Sequence, residues 1–89
     1  MEISFSNSFK KAFKKRVKGT VSEDSFWAAV ENFVTDPYHP QLKTHKLSGN
    51  LKGLWSITIE YDLRVVFYFT SEKPVRAVFV DIGTHDDVY

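Results

Sequence analysis

After Gly53 the chain changes its period. Trp55, Ile57 and Ile59 alternate with Ser56, Thr58 and Glu60, the two-residue repeat of a half-buried strand. Tyr61-Asp62 then reads as a turn, RVVFYF as a more continuously apolar and central strand, SEKP as another turn and VRAVFVDI as a third strand. Strands joined by turns this short run antiparallel, because a parallel neighbour needs a crossover of about a dozen residues or more. The last third of the chain is therefore a three-stranded meander, and what precedes Gly53 has to cover it.

Two one-sided helices supply the cover. MEISFS alternates around Ile3 and Phe5 and reads as a short first strand, with N-cap candidates at Ser6, Asn7 and Ser8. Phe9, Phe13 and Val17 recur at i, i+4 and i+8, lysines fall between them, and Gly19 is a stop. Ser22 can cap a second helix with Glu23 and Asp24 in its first turn, an apolar stripe through Phe26, Ala29, Val30 and Phe33, and an end at Asp36-Pro37. The segment from Pro37 to Gly53 reads as a loop with a short strand near Lys43 to Leu47. The expected architecture is α+β, β-α-α-β-β-β with a short C-terminal helical turn capped by Thr84. Its two N-terminal helices form a hairpin on an antiparallel sheet. Large aromatic residues such as Phe5, Phe26, Phe67 and Phe79 fill the core.

Eighty-nine residues suffice for one domain, 1–89, which at this size buries roughly 60–65% of its unfolded surface. The absence of cysteine excludes disulfides and thiolate metal sites and suits a reducing compartment. No apolar run approaches the ~20 residues of a membrane span, and MEISFSNSF lacks the apolar centre of a secretion signal, so a cytoplasmic protein without membrane contact is expected. The net charge of +1 hides an uneven distribution. Residues 1–19 carry six basic side chains against Glu2 alone, whereas residues 20–36 carry only acids and the end carries Asp81, Asp86 and Asp87. Such a pattern suits a polyanion or acidic-protein contact on particular faces, or simply a solvated lysine-rich helix.

The chain has no phosphate-binding glycine loop, no HExxH and no GxSxG. Its histidines, His39, His45 and His85, show none of the short paired spacings of a zinc site, although His45, His85 and an aspartate are a conceivable metal set. The chemically richer segments are KTHKLSGNLKG, YDLR and GTHDDVY. Two imidazoles can divide the roles of general base and general acid at neutral pH. Neighbouring Lys43, Lys46, Lys52 and Arg64 can hold a phosphate and offset transition-state charge. That set suits cleavage of RNA through its own 2′-hydroxyl, which needs no metal or small-molecule cofactor. Each residue also has a plainer reading. His45 is a solvated loop residue, Asp62 a turn former, Arg64 a surface partner of Glu60 or Asp62, and Thr84, Asp86 and Asp87 a cap and first helical turn.

HKLSGNLKG, then YDLRVVFYF, then DIGTHDDVY, in that order and separation, resemble the YafQ-like branch of the RelE/ParE superfamily of bacterial type II toxins. The motifs cover the C-terminal half, and the first half resembles the family by its order of elements. The resemblance implies a ribosome-dependent mRNA endoribonuclease held inactive by a cognate antitoxin. It places function on His45, Asp62, His85 and Tyr89: the histidines share proton transfer, Asp62 orients or assists, and Tyr89 stacks on a base. Lys43, Lys46, Lys52 and Arg64 are electrostatic candidates for RNA contact. Charge and resemblance together direct an acidic-hydrophobic antitoxin segment to the helix over Asn7–Lys18 and to the surface between the helices. Two positions depart from the family pattern: Thr58 stands where a further histidine is expected, and Tyr89 where phenylalanine is usual. Two alternatives follow, a gyrase-binding toxin of the ParE kind without nuclease activity, and a catalytically weakened toxin that serves as an antitoxin-binding module.

Overall fold

Strand β1 (Glu2–Phe5) passes into helix α1 (Asn7–Arg16) through a single residue, Ser6. Ser6 stays extended, and its hydroxyl accepts the Phe9 amide at 3.1 Å, one of the donors a helix start leaves unpaired. Helix α2 spans Glu23–Thr35, with Glu23 and Asp24 in its first turn, and ends at Asp36, which is extended ahead of Pro37. Ser22 occupies the N-cap position but does not cap with its side chain. Its hydroxyl donates instead to Glu60 Oε2 at 2.9 Å, which ties the start of α2 to the sheet. The remaining strands and α-helix are β2 (His45–Lys46), β3 (Trp55–Glu60), β4 (Leu63–Phe69), β5 (Arg76–Gly83) and the one-turn helix α3 (His85–Val88), with 3-10 turns at Pro40–Leu42 and Gly49–Leu51. The structure, a computed structural model, describes residues 1–89.

The five strands form one sheet in the order β1-β5-β4-β3-β2. The meander β3-β4-β5 is antiparallel, and β2 pairs antiparallel at one edge, inside the window where a short strand was expected. The sheet as a whole is mixed, which corrects the expected all-antiparallel arrangement: β1 joins parallel to β5, with Glu2 opposite Arg76 and Phe5 opposite Phe79. The helices, loops and inner strands between β1 and β5 together serve as the long connection that parallel neighbours require.

The two helices meet each other through rings over the core. Phe26 of α2 sits 5.0 Å from Phe13 and 5.8 Å from Phe9 between ring centroids. Deeper in, Phe33 stands edge-on to Phe67 at 5.2 Å and to Phe79 at 5.5 Å, and all three are fully buried.

One irregularity sets what the opposite face can hold. Val66 pairs with Asp81 but Phe67 pairs with Phe79, so Val80 is an extra residue in β5. This bulge shifts the alternation by one. Phe79 and Ile82, three apart, both point into the core, while Asp81 turns to the opposite face. The bulged residue's carbonyl accepts the Ser8 hydroxyl at 2.8 Å, so α1 supplies a partner where the ladder is disrupted.

Candidate active site

Because β3 turns Ile57 into the core, Ser56 and Thr58 point to the opposite face. Ser56 stands opposite His45 on one side and Val66 on the other, and Thr58 stands opposite Arg64. An alternating strand that faces water on one side should expose its serine, yet Ser56 is fully buried. The cover is Tyr89, whose hydroxyl donates to Ser56 Oγ at 2.5 Å. The Tyr89 ring is edge-on to His85, 4.7 Å between centroids at 88°. The His85 amide donates to Asp62 Oδ1 at 3.4 Å, and Arg64 Nη1 donates to the same oxygen at 3.1 Å. Contacts and strand register therefore link His45, Ser56, Tyr89, His85, Asp62, Arg64 and Thr58 across one face of the sheet.

His45 is exposed and anchored. Its Nδ1 lies 2.8 Å from the Lys43 carbonyl, and a carbonyl only accepts, so Nδ1 carries the proton and Nε2 of the neutral ring remains a base. Lys43 adopts a left-handed conformation, φ 50°, and contributes its backbone carbonyl as well as its charge. Asp62 orients the His85 backbone and not the imidazole, whose Nδ1 is 3.6 Å from Asp86. Lys46 falls on the other face of β2 from His45. It pairs with Trp55, and its ammonium lies 5.5 Å from the centre of that ring. With Lys52 it lines a separate groove along the loop between β2 and β3. No three histidine or carboxylate side chains cluster closely enough to hold a metal ion, so His45, His85 and an aspartate do not form such a set.

A residue outside the expected set holds α3 in place. Arg16, at the end of α1, donates through Nη1 to the Ile82 carbonyl at 2.9 Å and to Asp81 Oδ1 at 3.2 Å, and its Nε is 3.9 Å from Asp87 Oδ2. Asp87 is thus more than a first-turn residue. Its carboxylate accepts the Thr84 amide at 2.9 Å while Thr84 Oγ1 accepts the Asp87 amide at 3.3 Å, a capping box that Arg16 clasps from the side. Gly83 lies beneath them, where a Cβ would sit 2.6 Å from the Asp87 Cβ and 2.9 Å from Arg16 Nη1. The signal in the sequence is slight: Arg16 is the only arginine in a helix otherwise charged by lysines.

The chain matches the family model of YafQ, the bacterial toxin of a type II toxin–antitoxin system, over residues 1–89. It belongs to the YafQ toxin family. YafQ from E. coli strain BL21(DE3) shares the fold at 20% identity with a TM-score of 0.80, covering 99% of this chain and 97% of that one. A metal-bound toxin from Helicobacter pylori is 27% identical, with a TM-score of 0.79 over 100% and 99% of the two chains. The YoeB/ParE toxin from Agrobacterium tumefaciens is 18% identical, with a TM-score of 0.74 over 96% and 99%. No curated protein sequence matches the chain. No helix is long and apolar enough to cross a membrane.

Two predictions concern the tail of this YafQ-family toxin. The Thr84 amide and hydroxyl, and then Arg16 and Lys15, hold the Asp87 carboxyl below an aspartate's usual 3.8. A depressed folded-state value gives stability that is present above the usual value and lost as pH falls through the depressed one. The Thr84 and Asp87 amide signals should therefore stay constant across neutral pH and shift only below about pH 4, and Asp87→Asn should abolish that shift in an NMR titration. Tyr89→Phe leaves the buried Ser56 hydroxyl without its partner and should cost about 1–3 kcal/mol in denaturant unfolding. Adding Ser56→Ala should recover most of that loss, and a strictly additive double-mutant cycle would show that the two groups do not interact.

Proposed function

We propose that this YafQ-family toxin is an endoribonuclease that cuts mRNA on the ribosome by acid–base catalysis through the RNA 2′-hydroxyl. The observation that carries this reading is the anchoring of His45, with Nδ1 committed to Lys43 and Nε2 free, on the face where Tyr89 and Asp62 position His85. His45 Nε2 takes the proton of the 2′-hydroxyl, whose oxygen attacks the adjacent phosphorus. The bond to the 5′-oxygen breaks, and protonated His85 delivers a proton to that oxygen. The products are a 2′,3′-cyclic phosphate and a 5′-hydroxyl end. Arg64 stands beside the site to offset charge on the phosphorane, and Tyr89 offers a ring face or edge to a base. Lys43, Lys46 and Lys52 supply further RNA contacts from the β2 side.

The cognate antitoxin has a suitable surface elsewhere. Phe9, Phe13, Phe26 and Trp27 form an aromatic groove of about 390 Å³ between α1 and α2, with Lys10, Lys14 and Lys18 along its rim. An acidic segment with apolar anchors fits that chemistry, and E. coli YafQ is itself known in complex with DinJ, at 21% identity to this chain.

Mapping mRNA 5′ ends in a translation extract tests the reading. New ends with wild type that vanish with His85→Ala support it. Intact message together with inhibited gyrase supercoiling would replace it with the ParE-like alternative. The placement of Thr58 beside Arg64, on the same face as Ser56, favours one secondary reading, an enzyme slowed by the missing imidazole. Thr58→His should then raise the cleavage rate, and an unchanged rate removes that version.

A further inference from the structure

The lysines of α1 and of the turn after it face two different grooves. Lys10, Lys14 and Lys18 border the aromatic groove shared with α2. Lys11 and Lys15 border a second groove of about 550 Å³ on the other side of α1, between that helix and α3. Val66 and Val80 of the sheet, Leu51 from the loop and Val88 of α3 give this second groove an apolar lining.

It lies next to the candidate active site. Val66 is the ladder partner of Ser56, the residue that holds Tyr89, and Val88 lies between His85 and Tyr89 in the chain. Its charge is also unbalanced. Asp81, the acid in the groove, is neutralised by Arg16 at 3.2 Å, whereas Lys11 and Lys15 are exposed and make no ion pair, although the charge of Lys15 is felt at Asp87. Two ammonium groups without ion-pair partners above an apolar lining suit a single-stranded polynucleotide, with phosphates on the lysines and a base or ribose against the half-buried Val80 and Leu51. Lys11 and Lys15 are one helical turn apart, about 5–6 Å between Cβ atoms, a separation comparable to that of neighbouring phosphates in an extended strand. An acidic peptide has the same sign of charge, but the groove that offers aromatic anchors for one lies across the helix.

We propose that Lys11 and Lys15 bind two successive backbone phosphates of the message next to the scissile linkage, in the groove between α1 and α3. This rests on the RNA-cleaving reading of the site. The probe is a single-stranded RNA oligonucleotide methylated at every 2′-hydroxyl, which cannot be cut, with binding followed by fluorescence anisotropy across a range of KCl concentrations. Each phosphate contact on a single strand contributes about 0.7 to the slope of log affinity against log salt, so Lys11→Gln with Lys15→Gln should lower the slope by about 1.4. Lys10→Gln with Lys14→Gln removes the same charge from the other row and should keep the wild-type slope. An unchanged slope in the first variant overturns the proposal, as does an equal fall in the second. Loss of antitoxin binding by the first variant, with its RNA slope intact, assigns the groove to protein and also overturns it. Unaltered slopes, or a wild type that binds no free RNA, sink this assignment alone; the nuclease reading stands or falls separately, with the 5′ ends mapped in the translation extract.

Discussion

Replacing His85 by alanine should lower cleavage of translated message by roughly 10²–10⁴-fold, the range general acid–base catalysis supplies. The same substitution should leave the fold intact. The His85 side chain is 62% exposed and touches the rest of the molecule mainly through the Tyr89 ring, so it contributes little to packing. Exposed substitutions of this kind usually change stability by within about 0.5 kcal/mol. Primer extension on message from a translation extract reads the first quantity, and denaturant unfolding reads the second. Full-rate cutting by a folded His85→Ala protein would remove His85 from proton transfer. Loss of activity together with loss of fold would make the residue structural.

Gly83→Ala should damage activity to a similar degree by a different route. Gly83 is buried with ordinary backbone angles, so what matters is space, and the new methyl would meet the Asp87 Cβ and the Arg16 guanidinium. Neither can retreat without opening the capping box or the bonds from Arg16 to Asp81 and Ile82. Overpacking of this sort costs about 1–3 kcal/mol, and a reacting group misplaced by about 1 Å can lose about 10²-fold in rate. Hydrogen exchange separates the two effects. The amides of α3 should lose protection while β3, β4 and β5 keep theirs, and an α3 that stays protected would show that the close contact is not what holds it.

The parts of this molecule that were legible in sequence are those that repeat. The 3.6-residue spacing of Phe9, Phe13 and Val17 and the two-residue spacing of Trp55, Ile57 and Ile59 report which side faces the core, and both helices and the meander follow. Pairing partners leave no such trace. Nothing local in Glu2–Phe5 says that its neighbour is Arg76–Phe79, which is why the sheet proved mixed. The bulge at Val80 was hidden for a related reason, since VRAVFVDI is apolar enough to read smoothly through a change of phase. Within the site, His45, Asp62 and His85 were recognisable by their chemistry and motifs. Ser56 was not, because a polar residue in an alternating strand reads as solvent-facing, and its cover arrives from Tyr89, 33 residues later. In the sequence Arg16 is one more charge on a basic helix. Its use depends on Asp81 having been turned outward by the bulge.

The pairing of β1 with β5 joins the two regions of the chain that are farthest apart in sequence, whereas β3, β4 and β5 are hairpin neighbours. Loop closure favours the near partners, so the meander can nucleate before the first strand and α1 dock onto it. The meander alone carries Asp62 and Arg64 on one hairpin but lacks the guanidinium that clasps α3. Completion of the proposed catalytic surface is thereby coupled to docking of the N-terminal helix, with the meander bearing on how fast the toxin forms and Arg16 on how long it lasts.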